Sequence, residues 1–329
     1  MFAVRPVPLA YNTIYLVEAD GRRVLVDAGP DYSGARELLE SALGTSAPEV
    51  VVATHAHSDH AGLARWWQTR GASVGIGPAD ARLARAPHFA APGEFEAFTA
   101  YVARSGAPAS LQSTLLRGLE GRREFVRRAA AAEGYPPPRA TDRWPTGLRF
   151  EPFEPDILLA DEARPAPGLR VLSCPGHTPG NLAVVAEDEG VLFSGDQLLP
   201  DIAPTPGIQF VPGDGGWRRF PSLPPFVASL ERLRSLSLTR CYPGHGEPFD
   251  NVAEVIDQNL AQVEQRTARV LAEVRDAGEA SVHSLSDRLY PRALQRRWWQ
   301  IVSTVQGHLD LLAERDQARC AEEVWSPVV

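Results

Sequence analysis

The densest chemistry in the chain lies in Thr54-His55-Ala56-His57-Ser58-Asp59-His60. Three imidazoles and a carboxylate sit together here, although the whole chain holds only 8 histidines. His55 and His57 are two apart, so an extended backbone projects both to one side. Asp59 and His60 follow at a helix start. Neutral imidazole and carboxylate are the ligand types that suit zinc, iron or manganese. Other residues stand in matching contexts. His177 lies in Cys174-Pro175-Gly176-His177-Thr178-Pro179-Gly180, Asp196 in Ser194-Gly195-Asp196, and His245 in Tyr242-Pro243-Gly244-His245-Gly246. Each follows a strand-like run, where binding groups collect in layered folds. His55, His57, Asp59, His60, His177, Asp196 and His245 therefore form one set of candidate metal ligands.

The elements that must position them alternate between strand and helix. Residues 13–18 and 23–27 read as strands joined by a turn at Ala19-Asp20-Gly21-Arg22. Residues 33–43 carry a helical pattern that Gly44 stops. The nearly continuous apolar run 49–54 is expected of a buried strand. A helix is expected from near His60 through Leu63, Trp66 and Trp67. Residues 86–147 break the rhythm as a helical insertion, with a longer helix over 109–133 and a stop at Pro136-Pro137-Pro138. Strands resume at 168–173, 182–186 and 190–194. The Pro/Gly-rich residues 199–225 read as one long ordered loop, and a helix (226–236) and a strand (238–242) follow. From about 252 the chain is almost continuous helix, with further helical patterns at 281–289 and 293–314. Two domains are expected: 1–251, which contains the insertion, and 252–329.

The order HAHSDH, PGHTPGN, SGD, PGHG resembles the metallo-β-lactamase-fold hydrolases, most closely the branch of glyoxalase II and related thioesterases. The resemblance covers roughly residues 9–250 apart from the insertion. It implies an α/β fold, a four-layer αββα sandwich, with a dinuclear metal site between two sheets. Carried over, His55, His57 and His177 would hold one metal; Asp59, His60 and His245 the other; Asp196 would bridge them. Asp27, in LVDAG, matches a carboxylate that orders the His loop. The implied cofactors are two divalent ions, zinc first, with iron or manganese as alternatives. Such a pair lowers the pKa of a water and polarises a carbonyl or phosphoryl oxygen, while Asp59 carries the proton to the leaving group. Diiron flavoprotein relatives have Glu at the position of His57, and many zinc β-lactamases lack a carboxylate at that of Asp196, so neither oxygen reduction nor antibiotic hydrolysis is expected. Sulfur dioxygenases of the same superfamily keep similar motifs. The C-terminal region resembles the winged-helix-like tail of some relatives, with a final helix and a small β wing.

Charge and composition narrow the partners. Hydrophobic residues make up 44% and charged residues 22%, which argues against wholesale disorder. The net charge of -8 argues against a protein that coats nucleic acid or an anionic membrane. All 33 basic residues are Arg. The insertion region is locally basic: Arg117, Arg122, Arg123, Arg127 and Arg128 cluster there, either as a solvated helix face or as a grip for an anionic handle. The aromatics Phe210, Trp217 and Phe220 offer either a pocket wall or core packing. Residues 251–329 are acidic, with 9 Arg against 12 Asp plus Glu, so nucleic acid is not the expected partner of the tail. Packing or a homodimer contact suits it better, with Trp298 and Trp299 buried there or at the interface. No run reaches the ~20 apolar residues of a membrane span. The N-terminus reads as no signal peptide, and Cys174, Cys241 and Cys320 form no disulfide or thiolate-zinc pattern. Cytoplasmic location is expected, with Cys174 and Cys241 as buried structural residues. His88, His283 and His308 have no ligand partners in sequence and read as structural. The expected function is metal-dependent hydrolysis of a small activated acyl compound, a thioester first. Alternatives are a phosphodiesterase, ribonuclease or lactonase of the same fold, or a non-catalytic binding module.

Overall fold

Strands buried on both faces need cover on both sides, and helices alternate with the strands along the chain. The computed structural model describes residues 2–44, 47–86, 88–131, 134–135, 147–200 and 207–328. β1 (Phe2–Pro8), β2 (Thr13–Ala19) and β3 (Arg22–Val26) form an antiparallel meander. β4 (Val50–Val52), β5 (Ser73–Ile76) and β6 (Ile157–Leu158) extend it in parallel. The crossovers are α1 (Ala35–Leu43), then α2 (Ser58–Ala61) with α3 (Ala64–Thr69); α4 (Ala81–Arg85) follows β5. The single helix expected across His60 to Trp67 is thus two short ones.

The insertion contributes α5 (Glu94–Arg104) and α6 (Ala109–Ala131). The stop at Pro136-Pro137-Pro138 lies outside the described residues. β7 (Arg170–Ser173), β8 (Leu182–Ala186) and β9 (Val191–Gly195) start the second sheet. Residues 199–225 are not one loop: they hold a hairpin, β10 (Gln209–Gly213) with β11 (Gly216–Phe220), and the start of α7 (Leu223–Arg234). Pro212 and the glycines masked its alternation, and residues 201–206 lie outside the described ones. β12 (Arg240–Pro243) completes the second sheet, in the order β12-β9-β8-β7. The tail runs α8 (Val252–Ala277), β13 (Ala280–Ser281), α9 (Val282–Leu289), α10 (Pro291–Leu294), α11 (Trp298–Glu314), β14 (Ala318–Ala321) and β15 (Val324–Pro327), with the sheet order β13-β15-β14.

Two strands carried too weak a signal to be anticipated. β1 contains Pro6 and Pro8, which cannot donate to a ladder, and accordingly it is the sheet's outer strand. β5 contains Gly75, where Leu159 packs so closely that a side chain would overlap it.

Side-chain alternation sorts the core into layers. Tyr15, Val17, Val24 and Val26 meet Val171, Leu182, Val184 and Phe193 between the sheets. Leu16, Leu25 and Val51 point the other way, onto Leu39, Leu63 and Trp67. Leu172, Val185 and Leu192 pack on Phe226, Leu230, Val255 and Ile256. A fourth cluster joins the insertion (Phe98, Val102, Leu119), the hairpin (Phe210) and the tail (Val270, Val302, Leu309, Trp325). Insertion and tail therefore share one core, and α8 runs from the third cluster into the fourth. Phe210 and Trp298 belong to this packing; Trp299 is only partly buried against it.

One polar contact pins that assembly. Arg219 of β11 donates to both carboxylate oxygens of Asp310 on α11, at 2.5 and 2.6 Å. Gln306 also donates to Asp310, and Tyr101 of α5 donates to Gln306. Removing one partner of such a pair strands a buried charge and costs about 3–5 kcal/mol, whereas removing both costs less. Arg219→Ala should therefore lower stability in urea titrations more than the double variant Arg219→Ala/Asp310→Ala does. A double variant as unstable as the single would show that the pair is not what the hairpin depends on.

Candidate metal centre

All the candidate ligands lie just beyond strand C-termini. Residues 54–60 follow β4, His177 follows β7, Asp196 directly follows β9, and His245 follows β12. β7, β9 and β12 run in the same direction, so their loops open at one sheet edge. His57 is the extended residue before α2, with φ -67 and ψ 149, and Asp59 and His60 are in its first turn.

The structure brings the seven candidate ligands together. His57 Nδ1 lies 2.9 Å from His55 Nε2 and 3.1 Å from His177 Nε2. His60 Nε2 lies 3.3 Å from His245 Nε2 and 3.6 Å from Asp59 Oδ2. Asp196 stands between the two groups: its Oδ2 is 3.4 Å from His177 Nε2, and its Oδ1 is 3.3 Å from His60 Nε2 and 3.4 Å from His245 Nε2. Gly244 makes this approach possible, because a Cβ there would stand 2.6 Å from the His60 ring and 2.9 Å from Asp196 Oδ1.

Hydrogen bonds set the orientation of these rings. Asp27 Oδ2 is 2.8 Å from His60 Nδ1, so that nitrogen donates and Nε2 faces the cluster. Asp27 Oδ1 accepts from the Thr54 N–H and Oγ1–H, both at 2.8 Å, and Thr54 Oγ1 contacts His55 Nδ1. Asp27 takes a left-handed backbone, φ 66, a strained conformation of the kind found at functional sites. The Tyr15 hydroxyl donates across the sheets to the Pro243 carbonyl, and Asn12 Nδ2, from the turn between β1 and β2, donates to the Asp59 carbonyl. Gln209 of the hairpin donates to the His177 carbonyl. Sequence reasoning missed Asn12, Tyr15, Thr54, Asp80 and Gln209 as supports of the site. Thr54 was the legible one, as a hydroxyl adjoining the first ligand.

The electrostatics divide the site. Burial, with the neighbouring imidazoles, holds His55 well below its ordinary pKa, His57 at about 3, and His177 low. Burial also opposes charge on His60 and His245, but nearby carboxylates outweigh it. Asp27 and Asp196 hold His60 well above its ordinary value, and Asp196 and Asp59 hold His245 at about 9. Against the same burial, His60 and His245 keep Asp59 at about 2 and Asp196 well below the usual carboxylate range.

These donors fit metal ions. Ring nitrogens of three histidines converge on one another, and Asp196 Oδ1 is buried without a hydrogen bond although two imidazole nitrogens stand 3.3 and 3.4 Å from it. Bonds of about 2.0–2.1 Å at a tetrahedral angle put ligand atoms about 3.3–3.4 Å apart, close to the spacings here. The groups His55–His57–His177, His55–His60–Asp196 and Asp59–His60–His245 could each hold an ion.

The remaining candidates lie elsewhere. Burial pushes the Cys174 and Cys241 thiols up to about 12, as suits unreactive core residues. His88 contacts the buried Glu94, His283 accepts from Trp298, and His308 contacts Thr267. Arg127 and Arg128 both pair with Glu124 on their own helix, and Arg123 covers the Phe95 ring. Trp217 donates to the Pro92 carbonyl, which ties the hairpin to the insertion.

Comparison with known proteins places this geometry. The Metallo-beta-lactamase superfamily pattern matches residues 7–245. The chain is 27% identical over 321 residues to the "Probable metallo-hydrolase YqjP" of Bacillus subtilis, covering 95% of this chain and 92% of that one. It is 26% identical over 132 residues to an atrochrysone carboxyl ACP thioesterase of Pseudocercospora fijiensis, covering 39% of this chain and 35% of that one. Among solved structures, a metallo-beta-lactamase family protein of Thermus thermophilus superposes with a TM-score of 0.71 at 26% identity, covering 99% of this chain and 98% of that one.

Because His60 and His245 are protonated near neutrality in the metal-free chain, a metal must displace protons to bind there. Affinity should therefore rise with pH from neutrality through about 9, the His245 value. Titration calorimetry in two buffers of unlike ionisation enthalpy should show net proton release at neutral pH. No release at neutral pH would contradict this charge assignment.

Proposed function

We propose that this chain, which belongs to the metallo-beta-lactamase superfamily and is a metal-dependent hydrolase, cleaves a thioester or a similarly activated small acyl compound. The observation that carries this is a pair of donor sets joined by one carboxylate. His55, His57 and His177 would hold one divalent ion, Asp59, His60 and His245 a second, and Asp196 would touch both. Zinc suits these ligands best, with iron and manganese as alternatives. When bound, two such ions lower the pKa of a water and polarise an acyl carbonyl.

The chain's own residues supply the rest. Asp27 holds His60 in the tautomer that turns Nε2 inward. Asp59 is the proton carrier. Its side chain keeps 15% exposure, while that of its neighbour His60 has none, so it can reach the substrate from the edge of the cluster. Held at about 2, its carboxylate is ionised at working pH. It can take the proton that water loses on attacking the acyl carbon, and hand it to the sulfur as the carbon–sulfur bond breaks.

Substrate class draws support from the local likeness to an ACP thioesterase, and the glyoxalase II-like branch is our placement of the chain. An anionic handle on the substrate would fit Arg122 of the insertion, which has no ion pair among the described residues and whose guanidinium is crowded enough for burial to lower its pKa. A phosphodiesterase or ribonuclease is the weaker reading, because Glu124 neutralises two arginines of the basic stretch in the insertion. We also read the layered cores as a four-layer αββα sandwich, and the tail order helix, strand, helices and two-stranded wing as winged-helix-like. We place the protein in the cytoplasm, in keeping with its free cysteines. Among the described residues, no helix is long and apolar enough to cross a membrane.

Asp59→Asn keeps the shape and one acceptor oxygen but cannot carry a proton. kcat should fall by about 10²–10⁴, less for thioesters with a low-pKa thiol and more for oxygen esters. Equal losses on both, together with loss of a metal, would leave Asp59 as a ligand alone.

A further inference from the structure

The carboxylate of Asp80 has no part in the chemistry described so far, yet no solvent reaches it. It lies after β5, in the residue before α4. Its partners are three neutral donors, none of them a cation. Oδ2 accepts from the Ala56 N–H at 3.0 Å and from the Thr178 hydroxyl at 2.7 Å. Oδ1 accepts from the Gly180 N–H at 2.7 Å. Ala56 stands between His55 and His57, and Thr178 directly follows His177. One buried carboxylate thus bridges the two loops that carry all three imidazoles of the first donor set.

The approach is built into the backbone. A Cβ on Gly180 would lie 2.4 Å from the Asp80 nitrogen, and one on Gly77 would lie 2.0 Å from the Gly180 carbonyl oxygen. Glycine is needed at both positions for the loops to close on Asp80. Below this point, the Leu182 N–H donates to the Thr54 carbonyl, so the loops are joined there too. Asp80 fixes their separation nearer the ligands. Burying a carboxylate without a cationic partner is costly, and a neutral residue would serve a purely structural contact at less expense. What an uncharged isostere lacks is acceptor capacity: an amide would turn its NH₂ toward one of three donors.

We propose that Asp80 is a positioning residue for the first metal, the counterpart on that side of what Asp27 does for His60. This rests on the dinuclear reading above. Asp27 holds a ring directly, whereas Asp80 holds backbone on both sides of the gap that the metal spans. Loss of a support behind metal ligands typically weakens affinity 10–100-fold.

The test uses the full-length chain carrying Asp80→Asn, Thr178→Val or Asp27→Asn. Zinc affinities come from chelator competition, and cadmium NMR of the substituted protein reports the two sites separately. Wild type should bind two ions and give two resonances. Asp80→Asn should weaken one ion by about 10–100-fold and shift or broaden one resonance, while Asp27→Asn perturbs the His60 site as well, because Asp27 holds both His60 and Thr54. Thr178→Val removes one peripheral hydrogen bond, so it stays informative even where Asp80→Asn does not fold. It should disturb the same resonance as Asp80→Asn, by less. A wild type that binds fewer than two ions would defeat the dinuclear reading itself. A two-metal wild type with Thr178→Val unchanged in both affinities and both resonances would overturn the role of Asp80. So would an Asp80→Asn variant that loses both metals equally with its thermal stability.

Discussion

Ring nitrogens of His55, His57 and His177 converge to about 3 Å around His57 Nδ1. Each neutral imidazole offers one N–H and one lone pair, and burial prevents these rings from charging. On the other side the balance reverses, and carboxylates keep His60 and His245 protonated until a cation replaces the proton. The crowding is tolerable only on a rigid frame, and the rest of the structure supplies one. Each ligand sits on the first few residues after a strand whose neighbours are buried on both faces. The desolvation cost of this frame is met by the valine- and leucine-rich clusters between and behind the two sheets.

The outer additions serve the same frame. The insertion, hairpin and tail share a core, with Arg219 and Asp310 linked at its polar edge. From that assembly Gln209 reaches the carbonyl of His177. A region remote in sequence therefore touches the backbone of a candidate ligand, which gives the tail a physical route to the site without a ligand of its own.

Much of the centre was legible in the sequence because its signal is local. Three histidines and an aspartate after an apolar run leave few other chemistries, and the Pro/Gly turns around His177 and His245 repeat that context. The supports were less legible because they are set by tertiary contact. Asp80 follows β5, a strand that Gly75 and its short length hid, so nothing marked it as standing at a strand end. Asn12 and Tyr15 act on partners more than forty residues away. The β10–β11 hairpin was hidden by Pro212 and its glycines, which mark a loop unless strand pairing is known. The insertion arginines read either as a solvated helix face or as a grip for an anion, and helical spacing gives Arg127 and Arg128 to Glu124.

Anomalous diffraction from crystals of the zinc-loaded protein, measured at the zinc edge, tests the central claim most directly. The account predicts two peaks. One should lie within bonding distance of His55 Nε2, His57 Nδ1 and His177 Nε2, the other beside Asp59, His60 and His245, with an Asp196 oxygen facing each. A single peak, or peaks away from Asp196, would contradict it.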